Sequence, residues 1–378
     1  MEKVYLIDGC RSPIGRGHPE KGLYSKLRAD ELSVQVLQGL IERTGLDPKK
    51  IDDFYLGCVG QHLEQGKNLA RLTLLLAGLP QSIPGATVNR LCSSSLSALQ
   101  MAADSIKAGN NSQMLVGGVE HLGHVPMTAA LDYNSKLFDG FDFQWTNMGL
   151  TAEKIVEDFQ IGREAQDLFT IESNKRYFSA KENGFFTNEI IPVDLPDGQS
   201  VTDDQEPRLS TLEKLGELRT VFKEDGTITA ANSSGISDGA CMAWIGNQSA
   251  VDQFGREPLV EIQNTVNIGL NPETMGFGPV YAINKLLNKT GLTLDEIDLF
   301  EINEAFAVQV LACQQKLGIP DEKLNIHGGA VAMGHPLGMS GLRIAVTLAH
   351  SMKENNSVYG IASLCVGHGQ GVAMLLKQ

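Results

Sequence analysis

Aromatic residues make up only 6% of this chain, with two tryptophans, and none of its six cysteines stands in a Cys-x-x-Cys pair. Cys10, Cys58, Cys92, Cys241, Cys313 and Cys365 are scattered, so neither a zinc site nor a disulfide framework is readable from their spacing. No apolar run reaches the roughly 18 residues of a membrane-spanning helix. The chain opens into Val4-Tyr5-Leu6-Ile7-Asp8, which reads as a first strand rather than a charged segment followed by an apolar one. A reducing, cytoplasmic location without membrane insertion is the resulting expectation. Positive charge is also short: 31 Lys and Arg against 45 Asp and Glu leave a net charge of −14. That balance argues against nucleic acid or an anionic membrane as partner, although a local basic patch would suffice for a small anionic ligand.

What is present is ordinary for a globular protein: 378 residues, 42% hydrophobic and 20% charged, enough for two to three domains. The first part alternates strands and helices. Asp30–Thr44 is an amphipathic helix ended by Gly45, Ile51–Val59 a strand, Asn68–Ala77 a helix closed by Gly78 and Pro80, and Met114–Val119 a buried strand. Alternation of this kind predicts an α/β fold with a largely parallel sheet.

The chain also repeats itself. Leu40-Ile41-Glu42-Arg43-Thr44-Gly45-Leu46 matches Leu286-Leu287-Asn288-Lys289-Thr290-Gly291-Leu292, an offset of 246 residues (45 to 291), and Ile51–Phe54 then matches Ile297–Phe300. Carried forward, the offset lays Ser94 on Ser340 and Leu96 on Leu342. Two copies of one α/β unit are expected, residues 1–120 and 256–378, the first completed by about 246–255. Between them, 121–245 has another texture: Phe138-Asp139-Gly140-Phe141-Asp142-Phe143-Gln144-Trp145, a long helix over Arg163–Glu182, then Pro- and Asp-rich loops. It is expected to form a lobe on top of the sheets rather than part of the core.

The stretch Val88-Asn89-Arg90-Leu91-Cys92-Ser93-Ser94 runs from a β-leaning lead into a helix in which Leu96, Leu99, Ala103 and Ile106 recur at helical spacing. Cys92 therefore precedes a helix N-terminus, whose unpaired N–H groups favour a thiolate. A lone cysteine there is more often packing than chemistry, so the companions decide. Asn303-Glu304-Ala305-Phe306 follows a strand at Ile297–Ile302, where Asn303 also suits a helix cap. His335 sits in the glycine-rich stretch His327–Gly341, in the pre-helix loop that the repeat sets opposite Cys92. Cys365-Val366-Gly367-His368-Gly369-Gln370-Gly371 follows a strand at Val358–Leu364, and Asn232–Gly239 is a fourth polar loop. A histidine beside a cysteine at a helix start activates a thiol, and glycines expose N–H groups able to hold an oxyanion.

With those motifs in order along its full length, the chain closely resembles the thiolases, which cleave or form 3-ketoacyl-coenzyme A. The resemblance implies two similar α/β halves stacked as five layers (α/β/α/β/α) plus an inserted loop domain. It implies Cys92 as the acyl-accepting nucleophile and His335 as its base. His335 and a water held by Asn303 would form one oxyanion hole, the N–H groups of Cys92 and Gly367 the second, and Cys365 would be the acid/base. It also implies Ser234 and Arg208 as contacts to coenzyme A, Met148 as an acyl-pocket residue, no permanently bound cofactor or metal, acyl-CoA and CoA as substrates, and a homodimer or homotetramer. Two departures stand out. His368 occupies a position where glycine is usual, and Asn147 stands where short-chain biosynthetic members often carry histidine. The Gly118–His124 stretch is closer to the fatty-acid-degrading branch.

Three other readings make different demands. An acetoacetyl-CoA-specific biosynthetic enzyme would act only on the shortest chain. A decarboxylating ketoacyl synthase or 3-hydroxy-3-methylglutaryl-CoA synthase would need Cys-His-His or Cys-His-Glu in place of Asn303 and a second cysteine. A non-catalytic lipid carrier would have no use for the full set of reactive residues.

Overall fold

The computed structural model describes residues 2–129, 131–140 and 143–378, so that Phe141 and Asp142 of the aromatic stretch lie outside the described residues. The first copy contributes β1 (Tyr5–Arg11), β2 (Gly15–Arg16), α1 (Ala29–Thr44), β3 (Asp53–Gly57), α2 (Leu69–Leu76), β4 (Gly85–Val88), α3 (Ser94–Lys107) and β5 (Gln113–His121). The lobe holds α4 (Met148–Phe159), α5 (Arg163–Glu182), β6 (Val193–Asp194), β7 (Ser200–Val201) and α6 (Leu212–Gly216). There follow β8 (Ser237–Gly246), α7 (Gln248–Phe254), β9 (Val260–Gly269), α8 (Gly278–Thr290), β10 (Leu299–Ile302), α9 (Ala307–Leu317), α10 (Ala330–Met333), α11 (Leu337–Asn355), β11 (Tyr359–Val366) and β12 (Gln370–Lys377).

The repeat is visible in detail. α1 and α8 end on Gly45 and Gly291, at φ +68° and +76°, a conformation that costs glycine little. Strand order runs β4-β3-β5-β8-β1 in one half and β10-β11-β12-β9 in the other. Leu324 pairs in parallel with Phe300 on β10 where β4 pairs with β3. The halves join edge to edge through Tyr5↔Glu261 and Leu6↔Val260.

Two expectations need correction. The sheet is mixed rather than largely parallel: β3 is parallel to β4 and β5, and β10 to β11, but β8 enters antiparallel between β1 and β5. β12 returns from β11 through a three-residue loop too short for a crossover, so that pair is antiparallel as well. The lobe also ends earlier than the expected 245: β8 (Ser237–Gly246) already belongs to the sheet of the first half, and α7, inside the expected 246–255 completion, packs with the same half.

Alternating side chains divide the core into layers. On β8, Cys241, Ala243 and Ile245 face a central cluster, while Ala240, Met242 and Trp244 face α1 and its neighbours. On β12, Val372, Met374 and Leu376 join the same central cluster, while Ala373 and Leu375 face the α8 and α9 side. α3 and α11 fill the layer between the sheets, giving α/β/α/β/α. Their starts touch closely: a Cβ at Gly341 would meet Leu96 N at 2.6 Å, and Ser95 Oγ donates to Met339 O (3.0 Å) and accepts from Leu342 N (2.8 Å). The lobe is less detached than its composition implied. Arg11 of β1 is wholly buried between Glu189 (2.6 Å) and Asp204 (2.7 Å), both from the lobe, and Tyr177 of α5 donates to Asp204 (3.0 Å). No helix among the described residues is long and apolar enough to cross a membrane.

Candidate active site

Between β4 and α3 the chain turns through Leu91, a non-glycine residue at φ +46°. The turn is braced locally. Asn89 Oδ1 accepts from Leu91 N (2.9 Å), while Ser94 Oγ accepts from Arg90 N (2.9 Å) and donates to Leu91 O (2.7 Å). Cys92 stands at its tip, partly exposed, just ahead of the N-cap Ser93. The backbone N–H groups of Gly367 and of Cys92 itself lie near enough to its sulfur to favour the thiolate. The thiolate expected from the helix start is not the resting form. Although the residue is partly exposed, the atoms packed around its sulfur keep water from it and push the thiol up to about 11; the two N–H groups only partly oppose this, and the charge of nearby Glu120 adds to it.

His335 lies between α10 and α11, held by its N–H to Ser237 Oγ (3.2 Å). Its Nδ1 is 2.6 Å from Ser340 Oγ, and that hydroxyl donates its one hydrogen to Pro336 O at 2.9 Å. Ser340 is thus the acceptor, the proton sits on Nδ1, and Nε2 keeps its lone pair for the site. Burial, and then the charge of Arg343, bring His335 down to about 3, so the imidazole is neutral. Asn303, at the end of β10, brings Nδ2 to 3.4 Å from His335 Nε2, and its buried Oδ1 has no protein partner among the described residues. Glu304 fastens this loop to the glycine-rich stretch: its carboxylate accepts from Val331 N (3.0 Å), Asn325 Nδ2 (2.9 Å) and Ser173 Oγ (2.8 Å).

Cys365 belongs to β11 instead of following it, because the β11–β12 pairing continues to Val366↔Gln370. Its buried thiol is held well above its usual range, by burial first and then by the charges that Cys92 and Cys313 would carry. The Cys92 and Cys365 sulfurs are thus within electrostatic reach of one another. No direct hydrogen bond joins Cys92 to His335 among the described residues. In the loop after β11, a Cβ at Gly367 would meet Leu91 Cδ1 at 3.1 Å and Met148 Sδ at 3.6 Å, so Met148 does border the nucleophile's loop. His368 follows at φ +62°.

Ser234 is tied to the Asn303 loop through its N–H to Ala305 O (3.0 Å). Arg208 is exposed and makes no side-chain ion pair or hydrogen bond among the described residues; only its N–H is engaged, by Asn174 Oδ1 (2.9 Å). Asn147 caps α4, accepting from Gly149 N (3.0 Å). Three positioning residues escaped the sequence reading: Ser340, Glu304 and Glu120. Ser340 was the most accessible of them, since the offset pairs it with Ser94.

Glu64, His121 and His124 gather closely enough to suggest a metal site. Their nitrogens are already committed. His121 Nε2 donates to Tyr24 O and Leu27 O, and its Nδ1 accepts from His124 N. His124 faces Glu64 Oε1 (3.1 Å) and Ser25 O (3.0 Å) with its two nitrogens, an arrangement that favours the charged ring. Burial opposes that charge, but the two acceptors outweigh it. The cluster ties down the Tyr24–Leu27 loop and leaves no ring nitrogen free for an ion.

Two family models match nearly the whole chain: the thiolase N-terminal domain over residues 4–249 and the thiolase C-terminal domain over 256–378. The chain is 42% identical to a 3-ketoacyl-CoA thiolase of Aliivibrio fischeri and 43% identical to one of Cronobacter sakazakii, each over 100% of both sequences. Among solved structures, human mitochondrial 3-ketoacyl-CoA thiolase superposes with a TM-score of 0.90 at 33% identity, covering 100% of this chain and 99% of that one. The same human protein in complex with CoA matches with equal score. On these matches and this fold, the chain belongs to the thiolase family.

Proposed function

We propose that this chain is a degradative 3-ketoacyl-CoA thiolase, an acyltransferase that uses CoA to shorten a 3-ketoacyl-CoA by one acetyl unit. Cys92 passes its proton to His335 Nε2 and attacks the 3-keto carbonyl. The bond between C2 and C3 breaks, leaving the shortened acyl group on Cys92. The acetyl-CoA carbanion takes a proton from Cys365. CoA then gives its thiol proton to the Cys365 thiolate and attacks the acyl-enzyme, and Cys92 leaves with the proton returned by His335. Two cysteines suit the task because one must hold an acyl group while the other moves a proton at carbon.

The observation that carries this reading is that the Cys92 and Gly367 N–H groups both lie near the Cys92 sulfur and favour negative charge there. An acyl group on that atom would place its carbonyl oxygen where both can donate as charge develops. Asn303 Oδ1, buried and unpartnered, suits a water that would join His335 in holding the enolate oxygen of the departing acetyl-CoA. With the thiol near 11 and the imidazole near 3, Cys92 does not ionise until substrate arrives. This restrains wasteful reaction at the empty site.

In this reading the first half, with β8, brings the nucleophile, and the second half brings His335 and Cys365. The lobe takes CoA, with Ser234, Met148 and Arg208 along its path. The protein works in the cytoplasm as a homodimer or homotetramer. β4 is the edge of its sheet, and Leu72, Leu75, Leu76 and Met101 are exposed on α2 and α3, an apolar face that a second copy would cover. The test is consumption of a 3-ketoacyl-CoA with release of acetyl-CoA. Activity must depend on CoA and vanish in Cys92→Ala; its survival in that variant would defeat the mechanism.

A further inference from the structure

His368 sits between Gly367 and Gly369 in the β11–β12 loop, at φ +62° followed by +75°. Glycine meets such angles freely and a side chain does not, so the contacts of this side chain merit a functional explanation. His368 Nε2 shares a hydrogen bond with Tyr133 Oη at 3.0 Å. Its ring stands edge-on to Tyr133 (centroids 5.8 Å apart, 74°) and to Trp145 (5.2 Å, 85°). Tyr133 in turn contacts Trp145 (5.9 Å) and Phe138 (6.3 Å). One residue back along the chain is Gly367, whose N–H faces Cys92; three residues on from Trp145 is Met148, which borders Gly367. An acyl chain leaving Cys92 past Gly367 and Met148 would meet the aromatic wall that His368 fastens to the catalytic loop.

We propose that His368 is a specificity-determining positioning residue, which sets acyl-chain-length preference by anchoring the Tyr133–Trp145 wall beside the Gly367 loop. The proposal rests on the thiolysis reading above. The wall would touch the acyl tail and not the reacting carbons. Its loss removes binding that ground state and transition state share, which raises KM for long chains more than it lowers kcat. Burial of two methylene groups is worth roughly a factor of ten.

The experiment compares kcat/KM for 3-ketodecanoyl-CoA and acetoacetyl-CoA in the parent protein, His368→Gly, Tyr133→Phe and the double variant. Glycine at this position relieves backbone strain, so the variant is expected to fold. The long-to-short ratio should fall about tenfold in His368→Gly, chiefly through KM. Adding Tyr133→Phe should lower it no further, because the pair acts as one device. Equal losses on both substrates would mean that His368 supports only the oxyanion loop, and would overturn the proposal. An unchanged ratio, or a gain on the long chain, would overturn it too. A parent protein that turns over neither substrate would instead defeat the thiolysis reading, and this inference with it.

Discussion

Glu120 offers the sharpest test of how the two halves are held together. Its buried carboxylate accepts from four N–H groups: Gly60 N (2.9 Å) and Gln65 Nε2 (3.1 Å) on Oε1, Val59 N (3.0 Å) and Gly338 N (2.9 Å) on Oε2. Two donors on each oxygen leave no acceptor for a carboxyl proton, so the group is ionised although burial pushes its pKa up. In Glu120→Gln, either orientation of the amide turns an NH2 against two donors. Gln65 cannot rotate to help without losing the bond from His121 N to its Oε1 (2.6 Å). At about 1–3 kcal/mol for each buried group left unpaired, the variant should lose roughly 2–6 kcal/mol. That is a large fraction of the roughly 5–15 kcal/mol typical of a domain. Urea unfolding followed by tryptophan fluorescence measures the loss. Removing this charge should also lower the Cys92 thiol pKa, so the destabilised variant should alkylate faster at fixed pH. A Glu120→Gln protein as stable as the parent would refute the reasoning, because burial of the charge, not service to four donors, would then dominate.

Ser340→Ala frees the His335 tautomer and should cost about 10–100-fold in kcat/KM with little loss of stability, on the scale found for the outer partners of metal-bound histidines, which orient the ring in the same way; an unchanged rate would show that Nδ1 needs no acceptor. Alkylation of Cys92 by iodoacetamide in the ligand-free protein should keep rising with pH toward about 11, without a plateau near neutrality; a plateau near pH 7 would mean that a stable thiolate–imidazolium pair forms without substrate. For His335, the native value near 3 lies below the ordinary 6.5, so between those values the unfolded chain binds a proton that the native one does not. Stability should therefore fall as pH drops from about 6.5 toward 3, and His335→Gln should remove close to one proton from that slope.

Much of this arrangement is legible in the letters, for identifiable reasons. Local signals found α5 at Arg163–Glu182 and placed the start of α2 at the Asn68 cap, because periodicity and capping act within a few residues. The repeat survives because each copy must fill the same slots, so Gly45 and Gly291 still end corresponding helices. Strand direction was misread since it depends on β8, which is separated from β5 by the whole lobe. Ionisation was misread for a related reason. A helix start favours a thiolate locally, but burial and Glu120 act on Cys92 from elements distant in sequence. Glu304 and Glu120 look like surface charges until the backbone and side-chain donors around them are known.

The repeat also explains how one duplicated unit came to hold two unlike reactive groups. Ser94 and Ser340 occupy corresponding positions, each at the start of a central-layer helix, and each sends its hydroxyl back to the preceding loop. Ser94 donates to Leu91 O and accepts from Arg90 N, so it braces the strained turn that presents the nucleophile. Ser340 donates to Pro336 O, which leaves its lone pairs for His335 Nδ1. The difference lies in what the loop offers: a backbone N–H in one copy, an imidazole in the other. Close contact of the two helix starts at Gly341 and Leu96 then sets both loops at one end of the central layer. A symmetric scaffold thereby supplies an asymmetric site. Each half keeps the serine for geometry, and only the residue it serves has changed.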